Sequence, residues 1–82
     1  MKKWFVYIVK CADNSFYTGI TINVSRRILE HNTSKKGAKY TRSRRPVELV
    51  KFWEFESRSA ASKEEYRIKK LSRKEKEEII YI

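Results

Sequence analysis

The chain is poor in residues that cross-link, kink or coordinate. It has one cysteine, one histidine, one proline and two glycines among its 82 residues. The lone Cys11 excludes an internal disulfide, and one cysteine with one histidine cannot build a zinc cluster of those ligands within a single chain. No apolar run approaches the roughly 20 residues that a membrane-spanning helix needs. The apolar run Trp4–Val9 follows Met1-Lys2-Lys3 but carries no small-residue cleavage site, so no signal peptide is expected and the chain reads as cytoplasmic. Acid is scarce as well: 10 acidic residues stand against 20 basic ones, a formal charge of +10. That balance predicts attraction to polyanions, with nucleic acid first and an anionic membrane surface second.

Aromatic residues, by contrast, make up 13% of the chain. Large rings allow a small core to suffice in a chain that must fold as one domain, residues 1–82. Residues 3–10, KWFVYIVK, read as a strand buried on both faces, with Trp4, Val6 and Ile8 on one side and Phe5, Tyr7 and Val9 on the other. Turn formers at 12–15 lead into a second strand, residues 16–21, which predicts an antiparallel hairpin. Gly19 shares a face with Tyr17 and leaves room there for another backbone or a ligand. Asn23 or Ser25 can cap a helix over 24–32. Its apolar stripe is Val24, Ile28 and Leu29, and Arg27 and His31 project together beside it.

A basic run, residues 35–45, follows, with room for a helical turn near Ala38–Arg42. It passes through Pro46 into a third strand over 47–55. Being pinned between ordered elements suits it to phosphate contact. From Ser57 or Ser59 the pattern is helical, with Ala60, Ala61, Ile68 and Leu71 near period 3.6. Ser72 recaps a last helix over 73–81, anchored by Ile79, Ile80 and Ile82. The fold class is therefore α+β, a small antiparallel sheet covered by helices.

Tyr7, Tyr17, Arg27 and His31 fall in one region, and the helix after residue 58 offers carboxylates. Hydrolysis of a phosphodiester needs a base for water, positive charge for the transition state and assistance to the leaving oxygen. An arginine fork suits phosphate, and a tyrosine becomes a plausible base when cations crowd it. Taken singly, the tyrosines would be strand aromatics, Arg27 a solvated helix residue and His31 a satisfied histidine near a helix end.

Tyr7, Tyr17-Thr18-Gly19 and Arg27-Ile28-Leu29-Glu30-His31 together resemble the signature of the GIY-YIG nuclease superfamily. Gly37-Ala38-Lys39-Tyr40-Thr41, Arg44-Arg45-Pro46 and Glu65-Tyr66-Arg67-Ile68-Lys69-Lys70-Leu71 extend the match toward its small stand-alone bacterial single-domain members. Phe5-Val6-Tyr7 stands where the family name spells Gly-Ile-Tyr, and Thr18 replaces the isoleucine of Tyr-Ile-Gly. The resemblance implies a three-stranded antiparallel sheet flanked by helices. It also implies DNA phosphodiester hydrolysis with one Mg²⁺ or Mn²⁺. By position, Tyr7 matches the general base and Tyr17 the tyrosine that positions water. Arg27 matches the stabilising cation, and His31 the residue that assists proton transfer or holds the first tyrosine. Glu65 matches the metal-binding glutamate. Periodicity alone puts Glu64 nearer the middle of the apolar stripe and Glu65 on its flank, so Glu64 stays the alternative.

The leading expectation is a metal-dependent DNA endonuclease module. It would grip the backbone through Lys35, Lys36, Lys39, Arg42, Arg44 and Arg45 and prefer structure or backbone over base sequence. A partner protein is one source of stricter specificity, and DNA repair is among the compatible roles. The alternative is a non-catalytic nucleic-acid-binding protein on the same scaffold. A membrane role lacks the basic amphipathic helix with an aromatic face that it would need.

Overall fold

The computed structural model describes residues 2–81; the expected anchor Ile82 lies outside them. Strands β1 (Trp4–Lys10) and β2 (Phe16–Thr21) form the hairpin, and β3 (Glu48–Phe55) completes a three-stranded antiparallel sheet in the order β2-β1-β3. The hairpin turns at Asp13-Asn14. Asn14 takes a φ of 70, a left-handed conformation that asparagine tolerates, and the Asp13 carboxylate accepts from the Ser15 amide at 3.1 Å.

Period two in β1 divides the sheet into two faces. Val6 and Ile8 are buried on one, against Ala61 of helix α3 (Arg58–Lys69) and Ile80 of helix α4 (Arg73–Tyr81). Ile68 joins them, and Trp4, Phe16, Ile20, Trp53 and Phe55 ring this core. Ala60 and Leu71 of the expected stripe are only half-buried. Tyr7 and Val9 lie on the other face with Cys11, Val47, Tyr17 and Ile28, under helix α1 (Val24–Thr33). The register pairs Tyr7 with Gly19 on β2 and with Phe52 on β3. A bulge at Val50, between the Ile8–Lys51 and Val9–Leu49 pairs, turns Val50 toward the first core.

The helix ends are closed by side chains, as the capping residues predict. Asn23 accepts from the Arg26 amide at 3.0 Å, and Ser57 from the Ala60 amide at 3.1 Å. Ser72 and Glu75 form a reciprocal capping box, with Ser72 accepting from the Glu75 amide at 3.2 Å and Glu75 from the Ser72 amide at 2.9 Å. The C-terminal end of α1 is fixed from outside the helix. The Asn32 amide donates to the Val47 carbonyl at 3.0 Å and accepts from its N–H at 2.7 Å, fastening α1 to the start of β3. Among the described residues, no helix is long and apolar enough to cross a membrane.

Candidate active site

Tyr7 is 1% exposed, and its ring lies across Gly19 on the neighbouring strand. A Cβ at Gly19 would stand 2.5 Å from the Tyr7 hydroxyl. The space that glycine leaves is therefore filled by Tyr7, where the sequence suggests a backbone or a ligand. The reason is directness of pairing: Tyr7 and Gly19 are cross-strand partners on one face, so the ring folds over the residue without a side chain.

The Tyr7 hydroxyl is 2.7 Å from Nε2 of His31, which is fully buried. His31 Nδ1 in turn lies 2.9 Å from the Thr41 hydroxyl and 3.3 Å from the Ala38 N–H. Helix α2 (Lys39–Arg42) exists as a single turn, and Thr41 is its one buried residue. Gly37 lets this loop press on α1, since a Cβ there would meet the Glu30 carbonyl and the His31 Cα at 2.8 Å. Tyr17 packs edge-on against the His31 ring and stacks on Tyr40, and Arg44 caps Tyr40 at 3.9 Å.

Arg27 is anchored at the rim. Its Nη1 donates to Glu30 at 3.0 Å and to the Lys36 carbonyl at 2.8 Å. It approaches the Tyr7 hydroxyl closely enough to act on its acidity. Burial pushes the phenol up to about 12, and Arg27 opposes that rise. Burial pushes His31 down to about 4, helped by the Arg27 and Arg45 charges, so the imidazole is neutral at pH 7. Tyr7 and Arg27 thus meet on the same side of the sheet.

The carboxylate comes from the other face. Although α3 packs against Val6 and Ile8, Glu65 sits on its flank, 22% exposed, and its negative charge adds to the rise of the Tyr7 pKa. Glu65 is paired with Lys69 at 3.2 Å. Glu64, at 26% exposure, is gripped by both arms of Arg67 at 2.8 and 2.5 Å, which hold its carboxyl below the usual range. Of the two glutamates, Glu64 is held at both oxygens by Arg67, whereas Glu65 is paired through one oxygen with Lys69. Among the described residues no three His, Cys, Asp or Glu side chains form a metal cluster. A single carboxylate fits Mg²⁺, which takes one or two protein oxygens and fills its octahedron with water and substrate phosphate.

The basic run divides in two. Lys35, Lys36, Lys39 and Arg42 face solvent. Arg45 turns inward and donates to the His31 and Ser34 carbonyls at 2.5 and 2.6 Å, closing α1. Arg44 is held by Asp13 at 3.0 Å and by the Tyr40 carbonyl at 2.8 Å. Thr41, the Ala38 amide, Tyr40 and Asn32 are additions to the residues expected from the sequence. The i, i+4 spacing of Tyr40 and Arg44 was an available signal for their stack.

A family model described as the GIY-YIG catalytic domain matches residues 3–78. The UPF0213 protein DP2720 of Desulfotalea psychrophila is 67% identical over 69 residues, covering 84% of this chain and 63% of its own length. The UPF0213 protein SH2523 of Staphylococcus haemolyticus is 56% identical over 80 residues, 98% of this chain and 96% of the relative. Among solved structures, the UPF0213 protein BH0048 of Bacillus halodurans has a TM-score of 0.61 at 50% identity, covering 95% of this chain and 82% of its own. EF2693 of E. faecalis has a TM-score of 0.65 at 47% identity, covering 96% and 83%.

Proposed function

The chain belongs to the GIY-YIG family, and from that premise we propose that it is a cytoplasmic, metal-dependent DNA endonuclease module. The observation that carries this reading is the convergence of Tyr7, Tyr17, Arg27 and the buried His31 on one face of the sheet, with Arg27 close enough to the Tyr7 phenol to oppose the rise in its pKa. Tyr7 would take the proton of the attacking water, and Tyr17 would orient that water. Alone, Tyr7 is too weak an acid to serve as a base at neutral pH, so it needs additional positive charge beside it. Arg27 supplies part of that charge. With Nη1 committed to Glu30 and Lys36, its other N–H groups would be shared between the Tyr7 hydroxyl and phosphate oxygens. Glu65 would hold the Mg²⁺ or Mn²⁺, which supplies Lewis-acid charge and a more acidic water when bound. Lys35, Lys36, Lys39 and Arg42 would carry DNA backbone contacts, while Arg44 and Arg45 would shape the loop that presents them.

The test incubates purified protein with branched, nicked and single-stranded DNA plus Mg²⁺ or Mn²⁺, beside Glu65→Ala. Cleavage by the wild type that disappears in Glu65→Ala is the expected result. Salt-sensitive binding with no cleavage of any substrate would replace this reading with a non-catalytic binder. Cleavage that persists unchanged in Glu65→Ala and Arg27→Ala would remove the mechanism.

A further inference from the structure

The buried imidazole can face Tyr7 in two ways, and the choice fixes what it can do. If Nδ1 carries the proton, it donates to Thr41, Thr41 donates to the Ala38 carbonyl at 2.9 Å, and Nε2 accepts the Tyr7 proton. If Nε2 carries the proton, Nδ1 accepts and Nε2–H donates to the Tyr7 oxygen. The Thr41 hydroxyl rotates to suit either arrangement, so it does not decide. A backbone N–H does decide, because it can only donate. The Ala38 N–H points at Nδ1 across 3.3 Å, and an Nδ1–H would oppose it.

We propose that the Gly37-Ala38 loop is a positioning device that holds His31 as the Nε2–H tautomer, so that His31 donates to Tyr7 and cannot take its proton. Glycine at 37 is what allows it. With any side chain there, the loop could not approach the Glu30 carbonyl and His31 Cα closely enough for the next amide to reach the ring. The Tyr7 hydrogen is then left without an acceptor among the described residues, available to a water or a phosphate oxygen. A neutral donor at 2.7 Å also favours the phenolate over the phenol, which is what a base needs. His31 thus acts as a hydrogen-bond donor to the base, with the proton leaving Tyr7 on the side away from the imidazole. The catalytic meaning of this inference rests on the proposed nuclease reading, whereas the tautomer does not.

The test is a long-range ¹H–¹⁵N correlation spectrum of ¹⁵N-labelled full-length protein at pH 7, without DNA or metal. His31 is the only histidine of the chain, so one imidazole pattern appears. The expected pattern is protonated Nε2 with bare Nδ1. The Nδ1-protonated pattern, or an average of the two, overturns the proposal. In Thr41→Val the pattern should stay the same, because the Ala38 amide still selects it; a changed pattern would assign the choice to Thr41 and overturn the role of the loop. Should Thr41→Val not fold, the wild-type spectrum decides alone. An Nε2–H protein that cuts no DNA would sink the nuclease reading only, and an active nuclease with Nδ1–H would sink this one only.

Discussion

Lowering the pH from 7 to 5 should destabilise this protein through one residue. His31 is fully buried and its pKa is pushed down to about 4, whereas an exposed histidine titrates near 6.5. Between those values the unfolded chain binds a proton that the folded chain refuses. Stability contributed by neutral His31 is therefore present above about pH 6.5 and is lost as pH falls toward 4. At pH 5 the unfolded histidine lies about 1.5 units below its pKa, and each unit is worth about 1.4 kcal/mol, so the loss is about 2 kcal/mol. The window is clean because the chain has no other histidine. The carboxylates with lowered pKa values (Asp13, Glu30, Glu64 and Glu75) contribute stability that is lost below about pH 4.5, outside the window. Urea unfolding at constant ionic strength reads the effect. With a slope of about 1–2 kcal/mol/M for a small domain, the midpoint should fall by about 1–2 M. His31→Gln, which cannot titrate, should lose that dependence. An unchanged wild-type midpoint, or an equal fall in His31→Gln, would refute the buried neutral imidazole.

Gly19→Ala should displace the Tyr7 ring and break its contact with His31, since the new methyl would stand 2.5 Å from the hydroxyl. Overpacking of this kind costs about 1–3 kcal/mol, read as a lower thermal midpoint together with lost cleavage. Arg45→Ala should cost about 1–3 kcal/mol of stability by leaving the His31 and Ser34 carbonyls without their donor. Lys39→Ala, by contrast, should leave the midpoint in place and weaken DNA binding with a shallower salt dependence. Equal behaviour of Arg45 and Lys39 in both assays would contradict the division of the basic run.

Much of the fold was legible because period two and period 3.6 are local properties. The hairpin, α1, α3 and the Ser72 cap fall within a residue or two of their expected bounds. The two-faced β1 was equally legible, with Val6 and Ile8 on one side and Tyr7 and Val9 on the other. What a helix covers is not local, however. Nothing in the spacing of Ala61 and Ile68 says that α3 takes the face opposite Tyr7, with Glu65 on its flank. The basic run misled in a different way: a charge count cannot distinguish Lys39 in solvent from Arg45 turned onto helix carbonyls. Thr41 was invisible because a single helical turn has no periodicity to read, and its burial depends on Gly37 letting the loop close on α1.

Whether Tyr7 and its neighbours are a reaction centre and not merely a core is decided by Tyr7→Phe. The change removes one buried oxygen and no charge, so the exposed basic surface stays as it was. The His31 N–H loses its partner, at a cost of about 1–3 kcal/mol. Single-turnover cleavage and DNA affinity should be measured on the same folded preparation. The expected result is unchanged affinity with cleavage reduced about 10²–10⁴-fold, the usual worth of a positioned base. Cleavage at the wild-type rate would contradict it and leave Tyr7 as a core residue.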